Sequence, residues 1–311
     1  MILTLLMCLG VVTSLSASGL GGFAGTSNRF TADPLAAGTG GITLFQETST
    51  NSYAQNPAAQ AFATERRFDA GLAQLPLDRF LYSISASQPL PPTANLSIGI
   101  IAGGTKNIEA RDSRGISTGM LSDTELTYLA SFAIRFSEQL ALGVNFKLLS
   151  KQLSSEGDLL DLKGSGFGAG LGAIIKPRVG TTIGVAIKDW NSSYKWKTED
   201  YFDIGSSYTD NFPMSFSWGL LQEMNAYSLA LEHDYFYIGE NIYRASIMWH
   251  KYDALLINTG FSYEDDRIFS GLSARYQLSL KRGPPMHIYL GLRLGLLGEN
   301  ARTFLGWGVN F

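Results

Sequence analysis

Charge is scarce in this chain of 311 residues: Asp, Glu, Lys and Arg together make up 16% of it, against about 25% in soluble domains. The net charge of -3 provides no basic face, which excludes nucleic acid as a partner. Cysteine is almost missing. The single one, Cys8, lies in the first apolar run, so the rest of the chain forms no disulfide and no thiolate metal site. His233, His250 and His287 are the three histidines, and no two of them have zinc-ligand spacing. No cofactor motif is present. After the first fifteen residues no apolar run approaches the roughly 18–20 residues that a spanning helix needs, which excludes a helical membrane protein.

What the chain does have is a high aromatic content, 12%, and 34 glycines. Ile2 to Leu15 form a mostly apolar run, followed by the small residues Ser16-Ala17-Ser18-Gly19. This matches a secretory leader, although no Lys or Arg precedes the run. Residues 1–18 are therefore expected to be a signal peptide.

The dominant period beyond the leader is two. Leu126, Tyr128, Ala130, Phe132, Ile134 and Phe136 alternate with Glu125, Thr127, Ser131 and Arg135. Leu140, Leu142, Val144, Phe146 and Leu148 alternate with Ala141, Gly143, Asn145 and Lys147. Successive side chains of a strand point to opposite faces, so each segment has one apolar face and one small or polar face. Fourteen such segments are expected: 68–75, 79–87, 95–104, 124–136, 139–150, 164–176, 180–190, 212–221, 225–235, 242–252, 254–264, 267–280, 286–295 and 302–311. Many exceed the mean soluble strand of about 5–6 residues, and alternating segments of about ten residues mark a transmembrane barrel. The soluble rival, a sandwich, also alternates, but with shorter strands.

Two further patterns point to lipid. The connections alternate between short (137–138, 177–179, 222–224) and long (105–123, 151–163, 191–211), as periplasmic turns and outside loops do. Aromatics gather near segment ends, among them Trp190, Tyr194, Trp196, Tyr201, Phe202, Tyr235, Trp249, Tyr263 and Trp307, where interfacial girdles lie. The fold class expected is an all-β, antiparallel transmembrane β-barrel of about fourteen strands spanning 67–311. Outer-membrane lipid is its expected surroundings, and the bacterial outer membrane its location.

Residues 19–66 do not read as barrel. Gly38-Thr39-Gly40-Gly41-Ile42-Thr43-Leu44-Phe45 reads as a short strand after a flexible turn. Asn56-Pro57-Ala58-Ala59-Gln60-Ala61-Phe62 reads as a short helix, with Asn56 as N-cap and Pro57 in the first helical position. An apolar helix before the first strand has to be buried, and a barrel of this size has a lumen that can hold one. A small N-terminal plug over 19–66 is expected there.

The order Gly38, Gly40, Gly41, then Asn51 to Gln55 with Tyr53, then Asn56, Pro57 and Ala58 resembles the N-terminus of the PorV/PorQ family, itself similar to FadL-type outer-membrane proteins. The family form is Asn-Pro-Ala-Gly; this chain has Ala59 where the glycine stands. Ala141 to Val144 and the Lys176-Pro177 end of a Gly-rich segment are also similar to family members, and the last strand, ending in Phe311, resembles the assembly signal of outer-membrane proteins. The resemblance implies a fourteen-stranded barrel with an N-terminal plug. PorV-like members bind or anchor secreted and envelope proteins in type IX secretion. FadL-like members pass hydrophobic small molecules. The first is the expected function and the second the alternative; neither is enzymatic.

Three groups of residues carry the remaining expectations. Gly164, Gly166, Gly168, Gly170 and Gly172, at spacing two, form a bare stripe expected to face the lumen and receive the plug. Arg135, Lys147, Lys188, Glu232, Asp234, Arg244, Glu264, Arg275 and Arg293 are expected to point into the lumen as ion pairs. Gly-rich strand six and Gly103-Gly104 are candidate wall kinks for a hydrophobic channel. Ser246 and His250 share a strand face, but no nucleophile motif accompanies them.

Overall fold

The computed structural model describes residues 20–46, 50–156, 160–197, 207–252, 254–278, 284–295 and 301–311. The expected leader, residues 1–18, lies outside them, as do Tyr201 and Phe202. Sixteen strands form: β1 (Arg67–Leu75), β2 (Arg79–Leu90), β3 (Ala94–Arg111), β4 (Ser117–Arg135), β5 (Leu140–Ser155), β6 (Asp161–Arg178), β7 (Thr181–Trp190), β8 (Ser193–Lys197), β9 (Ser207–Asn211), β10 (Ser215–Glu223), β11 (Tyr227–Phe236), β12 (Asn241–Tyr252), β13 (Leu255–Glu264), β14 (Arg267–Leu278), β15 (Met286–Gly295) and β16 (Arg302–Asn310).

Fourteen of them close a barrel. Every neighbouring pair is antiparallel, and β1 meets β16 with Arg67 opposite Asn310 and Gln74 opposite Thr303. The two extra strands, β8 and β9, form a hairpin that extends the wall beside β6. Closure removes every sheet edge from the spanning region, which lipid requires because it offers no partner for an unpaired amide.

The alternation is built inside out relative to a soluble barrel. Ile98, Ile100, Tyr128, Phe132, Leu142, Phe146 and Leu148 are exposed, and their strand neighbours Ser97, Thr127, Ser131, Asn145 and Lys147 are buried. The same holds on the far wall, where Phe216, Leu231, Ile247, Phe261, Leu272, Leu290 and Leu305 face outward. Contiguous apolar surface on this scale is a lipid-facing belt.

The wall is uneven in height. β3, β4, β5 and β6 run for 16–19 residues, while β10 to β16 run for 9–12. A tilted strand crosses a membrane in about 9–11 residues, so the four long strands project well beyond the belt. At the same end the wall turns tightly, through three residues (Pro76, Leu77, Asp78) between β1 and β2 and through two (Asp265, Asp266) between β13 and β14, with Leu77, Asp78, Asp265 and Asp266 all at positive φ.

Before β1 the described residues form a 3-10 turn at Leu20–Gly22, three short helices, α1 (Thr26–Arg29), α2 (Pro34–Gly38) and α3 (Thr50–Gln55), and, next to β1, the 3-10 turn Pro57–Phe62. Asp33 caps α2 by accepting the Leu35 N–H at 2.9 Å, and Pro34 follows it. Asn56 caps the 3-10 turn, accepting the Ala58 N–H at 3.2 Å. Residues 42–45, read above as a strand, form none. Gly40 and Gly41, both at positive φ, turn the chain there, and the next amides find a side-chain acceptor instead of a ladder.

Candidate functional site

The N-terminal segment runs along the inward face of the wall, and glycine marks where its backbone passes. Four pairs of directly opposed glycines lie on neighbouring strands: Gly71 and Gly306, Gly143 and Gly172, Gly184 and Gly219, Gly260 and Gly271. Each pair faces a stretch of the segment. A Cβ on Gly71 would meet the Ala32 carbonyl and one on Gly306 the Pro34 ring. Gly143 and Gly172 face Pro57-Ala58 and Asn56; Gly184 and Gly219 face Leu44-Phe45; Gly260 and Gly271 face Thr39-Gly40 and Ala37-Gly38. With no side chain on the wall, the segment's backbone approaches the wall backbone at Gly71, Gly143, Gly260 and Gly271, and its side chains do so at Gly172, Gly184, Gly219 and Gly306.

The glycine stripe along β6 therefore divides. Gly172 lies against Asn56 and Pro57, whereas Gly164, Gly166 and Gly168 lie against Trp196, Ser193 and Ser192 of the β8 hairpin, and Gly170 against Asn145 and the Ile187 carbonyl. Four of the five thus contact the wall and its hairpin, not the N-terminal segment. The segment crosses strands instead of following one. Of the segment's own glycines, Gly38 lies against Ser273, Gly40 against the Phe261 backbone and Gly41 against the Arg244 guanidinium.

Between these crossings the wall offers hydrogen-bond partners to the segment. Glu232 Oε2 accepts the N–H groups of Thr43 and Leu44 at 3.0 and 3.1 Å. Glu125 Oε2 accepts the Ser27 N–H at 3.0 Å and its hydroxyl. Asn145 donates to the Tyr53 and Ala54 carbonyls at 2.9 and 3.1 Å, and Gln60 joins Ser97 and Ser131. Glu232, Glu125 and Asn145 thus satisfy main-chain groups of the segment from the buried strand face, while Gln60 bonds the wall side chain to side chain.

Seven of the nine expected interior charges are in ion pairs. Lys147 meets Asp189 at 2.7 Å. Arg244 bridges Glu232 and Asp234 at 2.8 and 2.7 Å, and Lys188 reaches Asp234 at 3.0 Å. Arg293 pairs with Glu264 at 2.7 Å. The other two differ: Arg135 lies over the Phe62 ring, and Arg275 stands opposite Tyr289. Asp189, Glu125 and the Arg67–Asp69 pair belong to the same interior and were not picked out from the sequence; Glu125, Arg67 and Asp69 occupy the inward parity of their strands, whereas Asp189, at positive φ, breaks the alternation of β7.

A cavity of about 590 Å³ lies between the segment and the wall, at the barrel end where the odd-numbered connections turn. The segment supplies Leu20, Arg29, Phe30, Thr31 and Thr43; the wall supplies Pro76, Leu77 and Arg79 near one turn and Glu264, Asp265 and Arg267 near another. Its charged lining is lopsided. Arg29, Arg79, Lys188, Arg244, Arg267, Arg293 and Arg302 face Asp189, Asp234, Glu264 and Asp265, and Phe30, Phe236 and Phe269 lie among them. Arg29 also donates to the carbonyls of Leu20 and Phe23 at 2.9 and 3.0 Å, and burial pulls its pKa below the ordinary value. Charge concentrated in so small a space acts in a low dielectric, where it discriminates strongly.

A second, apolar pocket of about 280 Å³ sits where the wall breaks, lined by Phe23, Phe212, Pro213, Met214, Tyr237 and Ile238. The β6–β7 register slips between Ala169 and Leu171, and Asp189 and Asn191 take positive φ. The break turns Phe212 and Tyr194 inward onto Ala24 and Leu149. Tyr194, expected in an interfacial girdle, is fully buried, and burial raises its hydroxyl pKa. The segment 212–221 enters the ladder only at Ser215 for the same reason. Gly103-Gly104 sit beside another slip, between Thr105 and Ile108. His250 bonds Ser228 at 3.0 Å, not the Ser246 that shares its strand face.

No family model matches the chain, and no curated protein does either. Solved structures do. The Pseudomonas putida toluene transporter TodX superposes with a TM-score of 0.63 at 13% identity, over 90% of this chain and 97% of its own. The monoaromatic hydrocarbon channel CymD gives 0.63 at 12% identity, over 89% and 97%. A FadL homologue from Pseudomonas aeruginosa gives 0.63 at 11% identity, over 89% and 96%. At such identities the likeness establishes the fold alone: this chain is a closed antiparallel barrel of fourteen strands with the fold of these three structures.

Proposed function

We propose that this protein is an outer-membrane channel for small molecules with a hydrophobic part, residues 67–311 forming the barrel and residues 19–66 a plug in its lumen. The observation that carries the reading is a hollow interior inside an apolar belt: a cavity between plug and wall at one end, and an apolar pocket at a break in that wall. A barrel whose interior was filled for stability alone would need neither. The plug reading is supported by contacts of α2 with β13 to β16 and of the 3-10 turn with β3 to β6, on different sides of the same barrel. The end with the tall β3–β4 hairpin and the β8 hairpin faces outside, since long connections do so in such proteins. The cavity is then the outer vestibule, and the apolar pocket beside Phe212 a lateral way between lumen and lipid. The fold neighbours being named as a transporter and a channel favours this reading over anchoring of secreted proteins.

Uptake by liposomes carrying the purified chain tests it. A neutral aromatic probe such as 2-naphthylmethanol, followed by its fluorescence with a quencher trapped inside, should enter measurably faster than into empty liposomes. Filling the pocket by Met214→Trp should slow it while leaving the folded, heat-modifiable band intact. Equal entry with and without protein would overturn the proposal.

A further inference from the structure

We infer that the buried Lys147–Asp189 ion pair is the latch of the wall break, and that Lys147 through it positions Phe212 and the apolar pocket that Phe212 lines. This rests on the channel reading and names what sets its lateral site. The first argument is the bulge. Ala169 stands opposite Trp190 but Leu171 opposite Ile187, so Gly170 alone faces both Lys188 and Asp189. An extra residue of this kind bends a strand and re-aims its side chains. Here Lys188 and Asp189 are both buried and Trp190 is turned outward. Asp189 takes a φ of 55°, a left-handed backbone that few residues other than glycine adopt. Lys147, wholly buried, holds it there. Its Nζ reaches Asp189 Oδ1 at 2.7 Å, from β5 to β7 past Gly168, which stands opposite Lys147 and carries no side chain. Arg29 also faces Asp189, but its hydrogen bonds go to its own segment.

The second argument is what hangs from the bulge. The Ser192 N–H donates to the Asp189 carbonyl at 3.3 Å, and the Phe212 N–H donates to the Ser192 carbonyl at 2.9 Å. This turn lies on the inward face of β6, where a Cβ on Gly168 would meet Ser192 and one on Gly166 the Ser193 carbonyl. The glycines of β6 are thus the bed of the turn. Phe212, tied to it, packs against Tyr194 and Gly25 and lines the pocket with Phe23 and Met214. Asp189 itself lines the outer cavity. The latch therefore touches the vestibule on one side and, through two hydrogen bonds, the pocket on the other. A buried ion pair adds little net stability, because desolvating both ions cancels most of their attraction. What this one adds is a fixed position for the turn.

Lys147→Met combined with Asp189→Asn tests the inference. The double variant leaves no charge unpaired, and Asn accepts a left-handed backbone as Asp does. Its folded band should be lost on heating within a few degrees of the unaltered protein, since the barrel does not depend on the pair. Entry of 2-naphthylmethanol into liposomes should nevertheless fall about tenfold, the worth of one charge-assisted hydrogen bond in setting the turn. Met214→Cys, made the only cysteine by Cys8→Ser, reports on the pocket directly. Its reaction with a lipid-soluble maleimide should slow about tenfold when the double change is added. Unchanged entry in the folded double variant would overturn the inference and leave the channel reading standing. A fall in entry with unchanged labelling would overturn it too, because the loss would then lie away from the pocket. Loss of the folded band would make the pair a brace of the barrel, which is equally fatal to the inference. No entry through the unaltered protein would sink the channel reading instead.

Discussion

Two parts of the inner wall meet the N-terminal segment by different chemistry. Around the opposed glycines the bare wall backbone lies directly against the segment's backbone or side chains, with Glu232, Glu125 and Asn145 supplying hydrogen bonds to main-chain groups. Charges there are matched, as where Arg244 and Lys188 meet Glu232 and Asp234. At the outer cavity the segment and wall stand apart around charged and aromatic side chains. A buried polar group left unpaired costs about 1–3 kcal/mol, so the fastened region is where the loss of a partner is felt most.

That contrast can be broken most severely at Glu232. Glu232→Gln keeps an oxygen for the Thr43 and Leu44 amides but leaves Arg244 and Lys188 sharing Asp234 alone. Removing one partner of a buried ion cluster costs about 3–5 kcal/mol. The temperature at which the folded band is lost on gels should fall clearly, and the segment should become cleavable by added protease. An unchanged transition would mean that the carboxylate does not hold the segment.

The next effect is steric. Gly143→Leu places a side chain against the Pro57-Ala58 backbone, with Gly172 opposite and equally close to Asn56. Overpacking of this kind costs about 1–3 kcal/mol. Gly115, which faces open space in the β3–β4 turn, is the control position, where Gly115→Asn keeps the left-handed turn and should change little. Equal losses at the two glycines would separate close approach from the stability of the wall.

The barrel was legible in the chain because lipid on one side and a polar interior on the other impose a strict period of two. The legibility stops where the lipid does. The segment 124–136 was readable, but β4 begins at Ser117, and 117–123 is too polar and mixed to alternate. The five glycines of β6 stood out as a row, yet the row that meets the segment runs around the barrel, one or two glycines per strand. That ring exists only through cross-strand register, such as Gly260 opposite Gly271 and Gly71 opposite Gly306, which no local pattern encodes. Tyr194 shows the same limit. Its position near a strand end fits a girdle, and only the wall break turns it inward onto Phe212, with ring centres 5.0 Å apart. The interior charges were mostly readable one by one, but their pairing was not, since Lys147 and Asp189 lie 42 positions apart.

The smallest expected effect sharpens the contrast from the cavity side. Arg302 lines the cavity and stacks on Phe269 and Phe30, a contact worth about 0.5–1 kcal/mol where water still reaches the cation. Arg302→Gln should therefore lower the unfolding transition far less than Glu232→Gln does, even though it removes a whole charge. Thermal melts of the two variants side by side decide the matter. A loss at Arg302 as large as that at Glu232 would mean that the outer arginines brace the fold, and the distinction between fastened and receptive wall would have no physical basis.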